Sequence, residues 1–301
     1  MSLWLGELAG IGTAASWSVS NQIHSAISRT TGATGLLIVR FPFFICTIGL
    51  MCLLFGTDTT LSLKAFWYLG LSGILGMGLC DWALYRGILI TGPPLGILIL
   101  SLSAAFTAIM GALFLGQSLN AQAMTGMLVI LLGIGWVSTD GGDSILMPGQ
   151  QVPHGKKLAE GIFMLVIAAL GLASGFIFMK LALNDGTSPL WAAFIRIFPV
   201  AFLFWGLGFI SGQTKTAIAH LRQNRRFLLL LPIAGVFSSM GLWFSCEAVD
   251  RIPTGVAATL IGLQPIGVTI LGAIWYKKRP SFRAFSGIVI AFVGTALVCL
   301  R

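Results

Sequence analysis

Gly126-Met-Leu-Val-Ile-Leu-Leu-Gly133 is followed, 161 positions later, by Gly287-Ile-Val-Ile-Ala-Phe-Val-Gly294. The same offset aligns Gly111 with Gly272 and Ala112 with Ala273 in the preceding apolar run of each copy. A proline stands near the start of that run in both copies, Pro93 or Pro94 in one and Pro253 in the other. Further toward the N-terminus an offset of about 156 pairs Leu37-Ile-Val-Arg40-Phe41 with Ala193-Phe-Ile-Arg196-Ile197. Each match is short, but together they keep register with the hydropathy, which is the signature of an internal duplication.

The composition says where such a duplication lives. Of 301 residues, 56% are hydrophobic and 9% charged, with 38 glycines. Soluble domains carry about 25% charged residues, so a soluble two-domain protein, a disordered chain and a disulfide-rich secreted domain are all excluded. The five cysteines are scattered through apolar segments without a CxxC pair and read as small buried hydrophobes, not as a disulfide framework or a zinc site. The first apolar stretch has no basic region before it and no cleavage site after it, so it is expected to be a membrane span and not a signal peptide.

Apolar runs and their breakers define ten expected helices: Trp4 to Ser28, Gly35 to Phe55, Ala65 to Thr91, Leu95 to Leu115, Ala121 to Thr139, Gly161 to Leu183, Pro189 to Ser211, Phe227 to Val249, Pro253 to Tyr276 and Phe282 to Leu300. Helices are expected because lipid satisfies no exposed backbone group, and the alternating pattern of a membrane barrel is missing. The expected fold is therefore all-α and integral to the membrane, ten transmembrane helices in two five-helix repeats. The repeats occupy 1–139 and 161–301, with the polar stretch 140–160, which holds Gly141-Gly142, Pro148, Pro153 and Lys156-Lys157, as linker.

Five is odd, so the second repeat enters the membrane in the opposite sense. Inverted repeats of this kind are typical of secondary transporters, whose solute site lies near the midplane between the halves. Loop charge bears on orientation: one face would carry only Lys64, Arg251 and Arg301, and the other eleven Lys and Arg, including Lys156, Lys157, Lys277, Lys278 and Arg279. By the positive-inside rule that places the termini outside. The net charge of +9 then reflects loop bias and not nucleic-acid binding.

The chain resembles the EamA-like permeases of the drug/metabolite transporter superfamily over nearly its whole length. The likeness rests on Arg40 and Arg196 near the starts of the second helix of each repeat, the Cys80-Asp-Trp-Ala-Leu-Tyr-Arg86 and Cys246-Glu-Ala-Val-Asp-Arg251 ends of the third helices, Leu263-Gln264-Pro265, and the closing helices with Gly126 and Gly287. It implies an inverted five-plus-five bundle with a central cavity, a small organic solute as cargo, a bacterial inner membrane as location and cytoplasmic termini, the last against the charge count. This chain departs from the family pattern where Gln117 and Lys277-Lys278 replace an acid after the fourth helices, and where Ala104 stands at the repeat position of Pro265.

Polar groups inside spans cost free energy and usually face a cavity or a partner. Asp81 lies deep in the third span, with Trp82, Tyr85 and Arg86 around it. It reads equally as a cavity group for a cation, amine or proton and as a packing salt bridge with Arg86 or Arg40. Trp17, Asn21 and His24 make one stripe at i, i+4, i+7, suited to a wet cavity or to helix–helix hydrogen bonding. Ser239, Trp243 and Glu247 make a second, with Glu247 near enough to Arg251 to pair. Gln264 sits beside Pro265, whose ring leaves a carbonyl without its amide and so marks a binding break or a hinge. The candidate substrate-binding set is thus Trp17, Asn21, Asp81, Trp82, Tyr85, Trp243 and Gln264, and the coupling or gating set His24, Arg40, Arg196 and Pro265. Arg40, nearer its helix end than Arg196, is expected to snorkel. The glycine pairs Gly6/Gly10, Gly92/Gly96, Gly171/Gly175 and Gly208/Gly212 mark close helix contacts, inside the bundle or across a homodimer, and the basic stretch from Lys215 to Arg226 fits a headgroup surface.

These features favour a secondary transporter of a small metabolite, an amino acid or related amphipathic solute, by alternating access and with proton coupling. Its partners are the solute and the lipid bilayer, with no nucleic acid. No catalytic residue, metal or cofactor is expected, since HExxH, Gly-x-Ser-x-Gly and nucleotide-binding loops are absent from the sequence. The alternatives are an intramembrane enzyme acting on a lipid or peptide, and a channel or scaffold.

Overall fold

A computed structural model describes residues 2–92, 96, 99–118, 120–139, 155–275 and 282–299. Residues 140–154 of the expected linker, Pro93, Pro94 and Leu95, and the basic run Lys277-Lys278-Arg279 lie outside the described residues.

Every regular element among the described residues is helical. Helix α1, Ser2–Phe55, is 54 residues long. At 1.5 Å per residue that is about 80 Å, far beyond the roughly 30 Å lipid core. The resolution lies at Gly32, whose φ of 72° and ψ of 172° break the helix. The left-handed region is open to glycine because it has no Cβ, and the chain reverses there. Glycines 6 and 12 of the first segment pack on Arg251 and Phe244, whereas Phe43 and Thr47 of the second meet Gly235 and Ser239. One segment therefore runs antiparallel to the helix carrying residues 235–251 and the other parallel to it. The expected stop at Arg29–Gly32 is reduced to a single residue.

The third span joins α2 (Leu63–Gly73) and α3 (Cys80–Thr91) through Ile74–Leu79, where the hydrogen bonds widen to i→i−5. This bulge lies against α6 (Lys156–Asn184), where Gly171 and Gly175 let two backbones touch. A Cβ at Gly175 would sit 2.5 Å from the Gly76 Cα, and one at Gly171 would sit 2.8 Å from the Leu75 carbonyl oxygen. Ser72 fastens the contact by donating to the Gly175 carbonyl at 2.6 Å. One further expected pair is used inside the bundle, Gly6 and Gly10 packing on Ile252 and Leu260; of Gly208 and Gly212 only Gly208 makes a contact, on Ile38, and Gly212 instead takes a positive φ ahead of the next helix.

Helices α4 (Ser103–Leu115) and α5 (Ala121–Thr139) complete the first half. In the second half, α7 (Pro189–Ile195) leads through Arg196 into α8 (Ile197–Ile210), the amphipathic α9 (Gln213–Gln223) and α10 (Arg225–Arg251). The chain then runs through α11 (Thr254–Ile261), α12 (Gln264–Trp275) and α13 (Phe282–Cys299). Short α9 buries Ala217 and Leu221 and exposes Lys215 and Arg222, the layout of a surface helix. Five helical stretches are long and apolar enough to cross a membrane, the first being all of α1, and four shorter apolar helices accompany them among the described residues. Their large exposed side chains, Leu53, Phe114, Leu132, Phe209 and Phe292 among them, suit lipid.

Two sites display the 161-residue offset in three dimensions. On α5 and α13, a Cβ at Gly133 would lie 2.7 Å from the Ala291 nitrogen and 2.8 Å from the Gly287 oxygen. One at Gly294 would lie 2.7 Å from the Ile130 nitrogen and 2.8 Å from the Gly126 oxygen. Subtracting the offset converts each contact into the other, a reciprocity that requires the two helices to run antiparallel.

The second site corrects the expectation of two continuous helices, Leu95 to Leu115 and Pro253 to Tyr276. Both are broken, at Ser101-Leu102 and at Gly262-Leu263. In the first the Leu102 amide bonds back to Ile99 at 3.0 Å; in the second Leu263 bonds back to Leu260 at 3.2 Å. These are tightened i→i−3 turns at equivalent positions, and they touch: Ser101 Oγ donates to the Gly262 carbonyl at 3.5 Å. Uniformly apolar runs hide such breaks from hydropathy.

Candidate functional site

The first segment of α1 brings Trp17, Ser20, Asn21 and His24 to one face, and the bulged third span brings Met77, Cys80, Asp81 and Leu84 opposite. Between them lies a cavity of about 60 Å³, closed by Arg40, Phe44, Leu100, Leu172, Arg196, Ser238, Leu242 and Gln264. On a scale where one water needs about 10–15 Å³, it holds a handful of waters or a small solute. Its wall takes residues from both halves of the chain.

Arg40 is 3% exposed and forms an ion pair with Asp81. This corrects the expectation that Arg40 snorkels: its guanidinium turns inward and lies 5.1 Å from the rings of Phe41 and Phe44. Between the two readings of Asp81, the geometry joins both, a salt bridge and a place in the cavity wall. The rival partner Arg86 instead pairs with Glu160 at 3.5 Å.

Arg196, the repeat counterpart of Arg40, is 2% exposed and meets sulfur instead of carboxylate. Its Nη1 donates to Met179 Sδ at 2.9 Å and reaches Cys246 Sγ at 4.0 Å. Sulfur is a weak acceptor. Among the described residues no acid pairs with Arg196, and its Nε has no partner. Both ring nitrogens of His24 are likewise without a hydrogen bond among the described residues, although the side chain is 1% exposed. Its ring is held edge-on to Tyr85 at 6.1 Å and against Phe44 at 6.0 Å.

A separate polar chain ties three helices together. Tyr85 donates to Asn21 Oδ1 at 2.9 Å, and Asn21 Nδ2 donates to Gln264 Oε1 at 2.9 Å. Gln264 Nε2 in turn donates to the Ile261 carbonyl at 3.2 Å. Ile261 is four residues before Pro265, so its carbonyl is the one that a proline at 265 cannot serve. The side-chain amide replaces the missing main-chain donor. Pro265 itself is corrected from a mid-helix position to the first turn of α12, where a proline ring is tolerated.

Of the expected residues, Trp17, Asn21, His24, Arg40, Asp81, Arg196 and Gln264 converge on this cavity. Tyr85 stands one layer behind, through Asn21. Trp82, Trp243 and Pro265 are not in the wall. Trp82, one residue from Asp81, is turned about 100° around the helix and lies under Arg86 at 5.5 Å. Trp243 packs on Phe55 at 5.1 Å and donates to Glu247, which binds Arg251 at 2.8 Å, away from the cavity. Met77 and Leu84 share the Asp81 stripe at i−4 and i+3, a periodic signal that could have found them. Met179 offered none. Gln117, noted only as a departure from a family pattern, accepts from both the amide and hydroxyl of Thr254 at 2.9 and 2.8 Å, capping α11 from the other half.

Comparison with known proteins follows the same outline. The model of the EamA-like transporter family matches residues 4–139 and 159–300. A protein of Escherichia coli K12 named "Probable amino-acid metabolite efflux pump" is 26% identical over 214 residues, 67% of this chain and 67% of that one. An "Uncharacterized transporter YxxF" of Bacillus subtilis is 29% identical over 99 residues, and an "Uncharacterized transporter" of Archaeoglobus fulgidus is 30% identical over 119. These matches span 30% and 43% of those two relatives, respectively. Among solved structures, one described as "Crystal structure of protein" has a TM-score of 0.72 at 15% identity, covering 98% of both chains, a likeness of fold.

Proposed function

The chain belongs to the EamA-like transporter family, and from that premise we propose that it is a secondary carrier exporting a small metabolite related to amino acids. The multi-pass membrane bundle is the setting. The observation that carries the reading is the cavity whose wall is shared between the halves, with polar groups of His24 and Arg196 unsatisfied in its lining. Buried polar groups without partners are costly and call for a ligand or a function.

In this reading ten spans form two inverted repeats, 1–139 and 161–301, joined by the linker 140–160, in a bacterial inner membrane. The reciprocal contact of α5 with α13 supports the inversion. Alternating access then proceeds by rocking one repeat against the other around the cavity. The touching breaks at Ser101 and Gly262 supply a pivot that both repeats share. Trp17, Asn21 and Gln264 shape the site, Arg40 and Asp81 hold helices together across it, and His24 is the candidate proton carrier. The metabolite named for the Escherichia coli relative sets the cargo class.

Uptake and counterflow in proteoliposomes over a metabolite panel, with and without a pH gradient, test the proposal. Protein-dependent movement of an amino acid or a close derivative is expected, and the gradient should accelerate it. If no solute moved while the purified protein turned over a lipid or peptide, an intramembrane enzyme would replace the carrier.

A further inference from the structure

The unspent hydrogen-bonding capacity of the cavity is mostly that of donors. Asn21, Gln264 and Tyr85 satisfy one another and the Ile261 carbonyl, so the amides that suit a solute on paper are engaged in holding the break. The buried atoms left over in the wall, among the described residues, are Nε of Arg40, Nε of Arg196 and the two ring nitrogens of His24. Arginine can only donate, and neutral histidine offers one donor and one acceptor. The wall asks for acceptors.

Charge points the same way. The lining holds two guanidinium groups, Arg40 and Arg196, against one carboxylate, Asp81. Asp81 is ion-paired to Arg40 and acts on Arg196 without touching it, so the groups in contact with the Arg196 guanidinium are the sulfurs of Met179 and Cys246. A buried charge whose direct contacts do not neutralise it is costly, and a bound anion reduces that cost.

Resting on the carrier reading above, we infer that the solute bears a carboxylate with no compensating ammonium group, and that Arg196 and His24 bind it. An α-ammonium would have to share Asp81, the one carboxylate in the wall, with Arg40. The rest of the wall, Trp17, Phe44, Leu84 and Leu242, accepts a compact apolar skeleton. Among compounds related to amino acids, the class selected is therefore the one whose amine has been lost or acylated: 2-oxo acids, 2-hydroxy acids or N-acyl amino acids. The zwitterion itself fits the charge balance less well.

Three probes with the same isobutyl group separate the possibilities: 4-methyl-2-oxopentanoate, leucine and isopentylamine. Each is offered at equal concentration to proteoliposomes containing the full chain, with protein-free liposomes subtracted. The oxo acid is expected to enter at least tenfold faster than leucine, and the amine not at all. Arg196→Gln should lower oxo-acid uptake at least tenfold, and Arg196→Lys should retain part of it. His24→Gln should keep more transport than His24→Leu, and this pair carries the test if the Arg196 variants fail to fold. Leucine or isopentylamine moving as fast as the oxo acid would overturn the inference and leave the carrier intact. So would an Arg196→Gln protein that folds and transports normally. A chain that moves none of the three but moves a zwitterion, an amine or a solute without a carboxylate also overturns it, movement of a 2-hydroxy or N-acyl acid upholds it, and a chain that moves nothing removes the carrier reading as well.

Discussion

The side-chain amide of Gln264 donates to the carbonyl of Ile261 at 3.2 Å, standing in for the amide that Pro265 lacks. One residue thus repairs the backbone defect made by its neighbour, and its other end accepts from Asn21 on α1. The break in the α11–α12 span is held open at a satisfied geometry.

That arrangement makes Gln264 and Pro265 energetically coupled. Gln264→Leu leaves the Ile261 carbonyl and an Asn21 donor unsatisfied, at a cost of about 1–3 kcal/mol. Pro265→Ala restores a main-chain donor, so the double variant should recover part of that loss. Melting temperatures of the detergent-solubilised protein check it; strictly additive effects would show that the amide and the proline act independently.

Arg40 is buried against a partly exposed Asp81, and removing the carboxylate strands the guanidinium. Asp81→Asn is expected to destabilise the chain by about 3–5 kcal/mol, the usual cost of breaking a buried pair. Arg40→Met combined with Asp81→Leu removes both charges and should be far less damaging. The readout is again thermal unfolding, and a single Asp81→Asn variant as stable as the parent would contradict the pairing.

Glycine is demanded at the crossing of the third span with α6, as it is between α5 and α13, but not at Gly206. Gly175→Ala places a methyl 2.5 Å from the Gly76 Cα, where only backbone could yield. Overpacking of this kind costs about 1–3 kcal/mol. At Gly206 an added methyl group would meet nothing within 4 Å, so Gly206→Ala should be neutral or slightly stabilising. Comparing the two variants by melting temperature separates packing from helix propensity.

Gly241 backs the indole of Trp17, and a methyl there would press directly on the ring. Trp17 lines the cavity, donating from its indole nitrogen to the Ser238 carbonyl at 3.4 Å. Gly241→Ala should therefore cut proteoliposome uptake by about tenfold, given how steeply function depends on site geometry. Stability should change much less. Unchanged uptake would place Trp17 outside the working site.

Hydropathy and glycine punctuation make most of the helices legible in the sequence, because a lipid-facing run and its breakers are compositional. The third span begins at Leu63, two residues before the expected Ala65, and the sixth at Lys156, ahead of the expected Gly161. What stays hidden is backbone behaviour within uniformly apolar runs: the i→i−5 bulge at Ile74–Leu79 and the break at Ser101-Leu102, whereas its counterpart at Gly262-Leu263 is signalled by Pro265. Periodicity finds Trp17, Asn21 and His24 as one face, and the same periodicity carries Met77 and Leu84, which polarity alone does not mark. The partners of Arg196 leave no signal, since Met179 and Cys246 come from two other helices and carry no charge. Trp82 and Trp243 mislead for an ordinary reason: an aromatic beside a polar stripe need not share its face.

The reciprocal glycine contacts between α5 and α13 amount to a self-complementary interface, the arrangement by which two identical subunits meet across a two-fold axis. Each helix offers the other the same glycine-floored groove, so neither is the knob and neither the hole. Away from this seam the likeness fades: Arg40 has a carboxylate beside it, whereas Arg196 is met by sulfur.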